Sequence, residues 1–180
     1  MSTLDDMISE IDSCIPEIIE LEQSLIRIPS VNTGFMPTGD ETPVCEQAKE
    51  FLAKHGIDSE ILESAPNRGN LVAKIEGSSR KPGLLFMSHT DVVPVEEYSK
   101  WIYPPFAAEI ADNRVHGRGS SDCKGLLTAQ LMAMSILAAL ALTRLGSLNT
   151  SIRCTLDGRL RVLQRFNHLV RHNLVVSVSP

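Results

Sequence analysis

The sequence has no C-x-x-C pair. Its four cysteines, Cys14, Cys45, Cys123 and Cys154, lie far apart, which excludes a thiolate zinc knuckle and a dithiol redox motif and points to a reducing, cytosolic setting. The first thirty residues carry acids and no cationic segment ahead of an apolar run, so a cleaved secretory leader is not expected. Cations are in the minority, 17 Lys and Arg against 22 Asp and Glu, for a net charge of −5. A phosphate-binding surface needs clustered Lys and Arg to displace counterions, so nucleic acid is set aside as a partner. There is no internal repeat and no low-complexity tract. Charge is also absent from Gly125 to Thr143, a stretch approaching the length of a membrane span. Thr128, Gln130, Ser135 and the many alanines within it favour a buried core helix, and no membrane partner is expected.

With 180 residues, 43% of them hydrophobic, the chain can form one domain with a sizeable core. The charge is unevenly spread. Residues 141–180 hold six arginines, no lysine and a single acid, Asp157. Their composition suggests a separate origin, a misread intron or shifted reading frame. The expected organisation is therefore a globular part over 1–140 and a divergent basic tail over 141–180, disordered or frame-shifted.

Apolar positions Leu4, Ile8, Ile11, Ile15, Ile18, Ile19 and Leu25 follow a helical stripe after a Thr3 cap, with Pro16 placed to kink or split the helix. Thr42-Pro43 reads as the cap and first residue of a second helix, ended by Gly56. Ile57–Leu62, Asn70–Glu76 and Gly83–Ser88 read as strands separated by turn chemistry, with Leu84-Leu85-Phe86-Met87 as the central, buried one. Ala107–Ala111 and Arg114–His116 flank Asp112-Asn113 as a hairpin, and an apolar helix runs from about Asp122 to Leu142. Helices alternating with strands favour an α/β class.

Ser88-His89-Thr90-Asp91 follows directly on the buried strand, at the end where open α/β sheets hold ligands. Gly117-Arg118-Gly119-Ser120-Ser121-Asp122-Cys123-Lys124-Gly125 is a glycine-rich turn opening the apolar helix. It is not a phosphate loop: Lys124 is followed by Gly125 rather than Ser or Thr, and Asp122 stands where a dinucleotide turn needs its third glycine.

Together with Trp101, Pro104-Pro105-Phe106 and Arg68-Gly69-Asn70-Leu71-Val72-Ala73, these segments resemble the acetylornithine deacetylase, succinyl-diaminopimelate desuccinylase and carboxypeptidase G family of di-zinc metallohydrolases, over about residues 4 to 140. The resemblance implies a partial three-layer α/β/α catalytic domain with a mixed sheet. It also implies His89 as a zinc ligand, Asp122 as the carboxylate bridging two zincs, and Asp91 as the catalytic-site acid that orients His89. Imidazole and carboxylate suit zinc, though cobalt or manganese would be tolerated by the same donors. The implied reaction is hydrolysis of an amide bond in a small N-acyl amino acid or peptide substrate.

The family's Glu-Glu or Glu-Asp pair, due thirty to forty residues after the bridging aspartate, has no match here. That window holds Ile152-Arg153-Cys154-Thr155-Leu156-Asp157-Gly158. The later acidic ligand, the final histidine and the inserted dimerisation domain also have no counterpart in 180 residues. Oligomeric state is therefore left open, and a truncated chain, inactive alone, is expected. The alternative is a non-catalytic fragment or pseudo-enzyme acting through partner binding. His168 and His172 share a helix spacing, but Leu169 stands where a metalloprotease helix needs glutamate. His55 is expected to complement helix carbonyls, His116 to sit on the site rim, and Cys123 to act as a small buried hydrophobe.

Overall fold

The computed structural model describes residues 4–35, 38–75, 84–139 and 148–153. The amino-terminal stripe forms two helices, α1 (Leu4–Ser13) and α2 (Ile15–Ile26), divided where Pro16 enters the first turn of α2. Their apolar residues fare differently. Leu21, Leu25 and Ile26 are buried, whereas Ile8, Ile11 and Ile15 remain about half exposed. Helix α3 (Glu41–Lys54) begins one residue before the expected cap. Thr42 does not cap it, because its hydroxyl donates instead to Glu63 Oε1 at 2.6 Å.

Strands β1 (Ser59–Glu63), β2 (Gly69–Ile75) and β3 (Leu84–His89) fall within a residue or two of expectation. The short hairpin β4 (Glu109–Ala111) and β5 (Arg114–His116) turns on Asp112 and Asn113, both at positive φ, as a two-residue turn of matching twist requires. Helix α4 (Gly125–Ala139) starts later than expected, since Asp122 at φ −128° and ψ 99° is not helical. The expected extension to Leu142 lies outside the described residues.

A strand that the sequence reading did not anticipate, β6 (Leu148–Arg153), completes a four-stranded sheet in the order β1-β2-β6-β3. β6 is antiparallel to β2 and parallel to β3, so the sheet is mixed. The apolar run of β3 predicts burial on both faces. Among the described residues, however, β3 ends the sheet with β6 as its one neighbour, and Leu84 is 56% exposed. Helices α2, α3 and α4 touch one another and cover the sheet, α3 on β1 and β2 and α4 on β3 and β6. Their shared core contains Leu25, Val44, Leu52, Leu71, Leu127, Leu131 and Met134. Sheet and helical layer give the α/β class, and they leave the carboxyl end of β3, with His89, facing the turn that opens α4.

Candidate metal centre

His89 is the last residue of β3. Its ring is held from both sides. Nδ1 donates to the Asp91 carboxylate at 3.1 Å and lies 2.9 Å from the Asp91 carbonyl. Nε2 lies 3.0 Å from Asp122 Oδ1, across 33 residues of sequence. Behind Asp91, Asn32 Nδ2 donates to its second carboxylate oxygen at 2.9 Å. Asn32 is put there by a bridge between Val31 and Val92, in which the Asn32 amide donates to the Val92 carbonyl and the Val92 amide to the Ser30 carbonyl. Sequence reasoning missed Asn32, because its only signal was membership of a polar loop.

The turn carrying Asp122 is pinned from below. Lys124 is fully buried, and its Nζ donates to the carbonyls of Leu25 at 2.9 Å and Ile28 at 2.6 Å, at the carboxyl end of α2. An ammonium group there satisfies carbonyls that the helix end leaves open and meets the negative end of its dipole. Burial pulls the Lys124 pKa down to about 8. Two glycines are required in this turn. Gly119 adopts φ +88°, which side chains rarely tolerate, and a Cβ on Gly125 would collide with the Ser120 carbonyl. Ser88 and Gln130 join β3 to α4, Ser88 donating to Gln130 Oε1 at 2.9 Å while Gln130 donates to the Met87 carbonyl at 3.1 Å.

His89, Asp91 and Asp122 line one cleft of about 420 Å³ with Asn32, Val92, Val93, Arg118 and Ser120. Arg118 lies over the Trp101 ring at 4.9 Å, so Trp101 braces this loop. Interactions of its ring nitrogens with Asp91, then Cys123, and to a lesser degree Asp122, push the His89 pKa up to about 11 against the opposing effect of burial. The three possible metal donors His89, Asp122 and Cys123 gather within 4.8 Å of one another.

The remaining histidines lie elsewhere. His55 meets Glu17 at 3.1 Å rather than helix carbonyls, because the α2 carboxylate is nearer to its ring. His116 packs on Tyr103 and contacts the Ala111 carbonyl at 3.2 Å. Asn70 Nδ2 donates across the β1–β2 pair to the Leu62 carbonyl at 3.2 Å and back into its turn to the Arg68 carbonyl at 3.4 Å. Asp157, His168 and His172 lie outside the described residues.

Residues 85–150 match the profile described as Peptidase family M20/M25/M40. This span contains both His89 and Asp122. The amino-terminal part of this chain is similar to peptidase family M20. Among its relatives, a probable succinyl-diaminopimelate desuccinylase of Staphylococcus epidermidis is 38% identical over 114 residues, covering 63% of this chain and 28% of the relative. The M20 family metallo-carboxypeptidase Sso-CP2 of Sulfolobus solfataricus superposes with a TM-score of 0.67 at 26% identity, over 86% of this chain and 34% of that one. Human carnosine dipeptidase 1 shares the fold, with a TM-score of 0.73 at 18% identity over 95% of this chain and 38% of that one. The chain thus spans between a quarter and two fifths of the length of these proteins. None of its described helices is long and apolar enough to cross a membrane.

Proposed function

We propose that the chain supplies part of a two-metal site for hydrolysing an amide bond in an N-acyl amino acid or small peptide. His89 would be a ligand to one ion, Asp122 the carboxylate shared by both, and Asp91 the acid that fixes the His89 ring. The supporting observation is the 3.0 Å approach of His89 Nε2 to Asp122 Oδ1, with Asp91 occupying the other ring nitrogen. The residues fit a divalent ion by chemistry: imidazole and carboxylate are ordinary zinc donors, and a ligating histidine ordinarily gives its second nitrogen to a carboxylate. The desuccinylase and metallo-carboxypeptidase relatives favour the same reaction class.

A bound ion pair supplies Lewis acidity to the scissile carbonyl and makes a water acidic enough to attack it. The protein's own part is positional. Asp91 holds Nδ1 protonated, directing Nε2 into the cleft, and Lys124 and Gly119 keep Asp122 opposite it. Ions must compete with the proton on His89, so metal uptake should release protons and strengthen as pH rises.

Zinc is the ion of first choice, with cobalt and manganese as alternatives the donors admit. Calorimetric titration of the 180-residue chain with zinc should give a binding heat that disappears in His89→Ala and in Asp122→Ala. Equal heats in wild type and both variants would sink the assignment. Among the described residues no further acid stands opposite His89 to complete a second ion's shell or take a proton from water. The 180-residue chain by itself is therefore expected to turn over N-acetylated amino acids negligibly, and zinc-dependent hydrolysis by that pure chain would overturn this expectation.

A further inference from the structure

Cys123 stands apart from the other described cysteines. Cys14 lies between the two amino-terminal helices, and Cys45 is a core residue whose thiol donates to the Gly69 carbonyl at 3.4 Å. Cys123, only 6% exposed, presents its sulfur to the side of the cluster containing His89 and Asp122, within 4.8 Å of the donor atoms of both. Burial alone would suit a small hydrophobe, as its type suggests. A core hydrophobe, however, has no reason to aim its sulfur at an imidazole and a carboxylate.

We infer that Cys123 is a third donor, and that His89, Asp122 and Cys123 form a nitrogen, oxygen and sulfur site selective for a thiophilic divalent ion. Zinc–nitrogen, zinc–oxygen and zinc–sulfur bonds are about 2.0 to 2.3 Å, so two donors on one tetrahedral ion lie about 3.3 to 3.6 Å apart. The three donor atoms here lie within 4.8 Å, and the His89–Asp122 pair at 3.0 Å. Holding one ion would require the widest donor pair to close by up to about 1.2 Å through side-chain rotation. A thiolate donor biases the site toward zinc, cobalt and cadmium and against magnesium and manganese. Binding transfers the thiol proton to the buffer and leaves sulfur at its original oxidation level.

This inference rests on the metal-site reading above, and the test separates the two. Co²⁺ is titrated into the reduced full chain without oxygen and followed by absorption. A near-ultraviolet sulfur-to-cobalt charge-transfer band is expected alongside visible d–d bands. In Cys123→Ser the charge-transfer band should be lost while d–d bands persist, and Cys123→Ala, with folding checked by circular dichroism, should behave alike. Visible bands without a charge-transfer band in the wild type would overturn the sulfur donor and leave the His89–Asp122 site standing. A charge-transfer band surviving in both variants would place the sulfur elsewhere and also overturn it. Absence of any cobalt spectrum in the wild type would overturn both readings.

Discussion

The two nitrogens of the His89 ring look onto unlike surroundings. On the Nδ1 side, Asp91 is 8% exposed and its carboxylate is itself gripped by Asn32. On the Nε2 side, the Asp122 side chain is 88% exposed, and its position depends on a turn fastened beneath it by Lys124. The inner half is preorganised by packing and hydrogen bonds. The outer half offers a carboxylate to the cleft and keeps it largely hydrated. In the proposed metal site this would fix one ligand before binding and let the other adjust, so perturbing the inner half should cost more affinity than equally small changes at the cleft mouth.

That contrast can be broken most forcefully from below. Lys124→Met should lower unfolding free energy by about 2 to 4 kcal/mol in urea titration, since it leaves the Leu25 and Ile28 carbonyls buried without a donor. An unchanged midpoint would mean that the turn does not depend on this anchor. Next in size, Asp91→Ala should weaken zinc binding by about 10- to 100-fold, the usual cost of removing the partner of a ligating histidine. Were calorimetry to give the wild-type affinity, the inner half would not be preorganised. Asn32→Ala acts one step further out and should cost about tenfold or less by the same measurement. A larger loss than in Asp91→Ala would reverse the proposed order of influence.

The smallest effect concerns Glu22, which lies against Gly125 at the start of α4. Burial raises its pKa above 4.5, so its folded form favours the proton. The associated stability is fully present below the unfolded pKa and is lost as pH rises through the folded one. Glu22→Gln cannot ionise, so it should overtake the wild type by under about 1 kcal/mol once pH climbs past this range. Parallel stability curves for the two proteins from pH 4 to 7 would contradict this.

What was legible in the sequence was local. Pro16, Asp112-Asn113 and the turn around Gly69 set breaks and hairpins through their own backbone preferences, and the elements they bound appear close to the expected places. His89, Asp91 and Asp122 could be picked out because the segments bearing them resemble a family. Asn32 and Lys124 could not be read this way. Their partners are 59 residues away for Asn32 and 96 and 99 residues away for Lys124, and nothing near either residue signals such a pairing. Strand β6 was hidden for a different reason: Leu148-Asn149-Thr150-Ser151-Ile152-Arg153 lacks the dense apolar run of a buried strand and lies where the charge pattern suggested a tail. Among the described residues β3 ends the sheet rather than sitting at its centre, since composition reports how apolar a strand is and not how many neighbours it has.

The insertion of β6 between β2 and β3 has a consequence for synthesis. On a growing chain, β1 and β2 can zip together as soon as Ile75 emerges, whereas the strand leading to His89 must wait for Leu148–Arg153 before anything joins it laterally to them. Such a late, non-local closure is slow to form. In the interval the strand ending in His89 is held by α4 alone, through the Ser88 and Gln130 hydrogen bonds, so the imidazole reaches its final setting only when the last strand is threaded in.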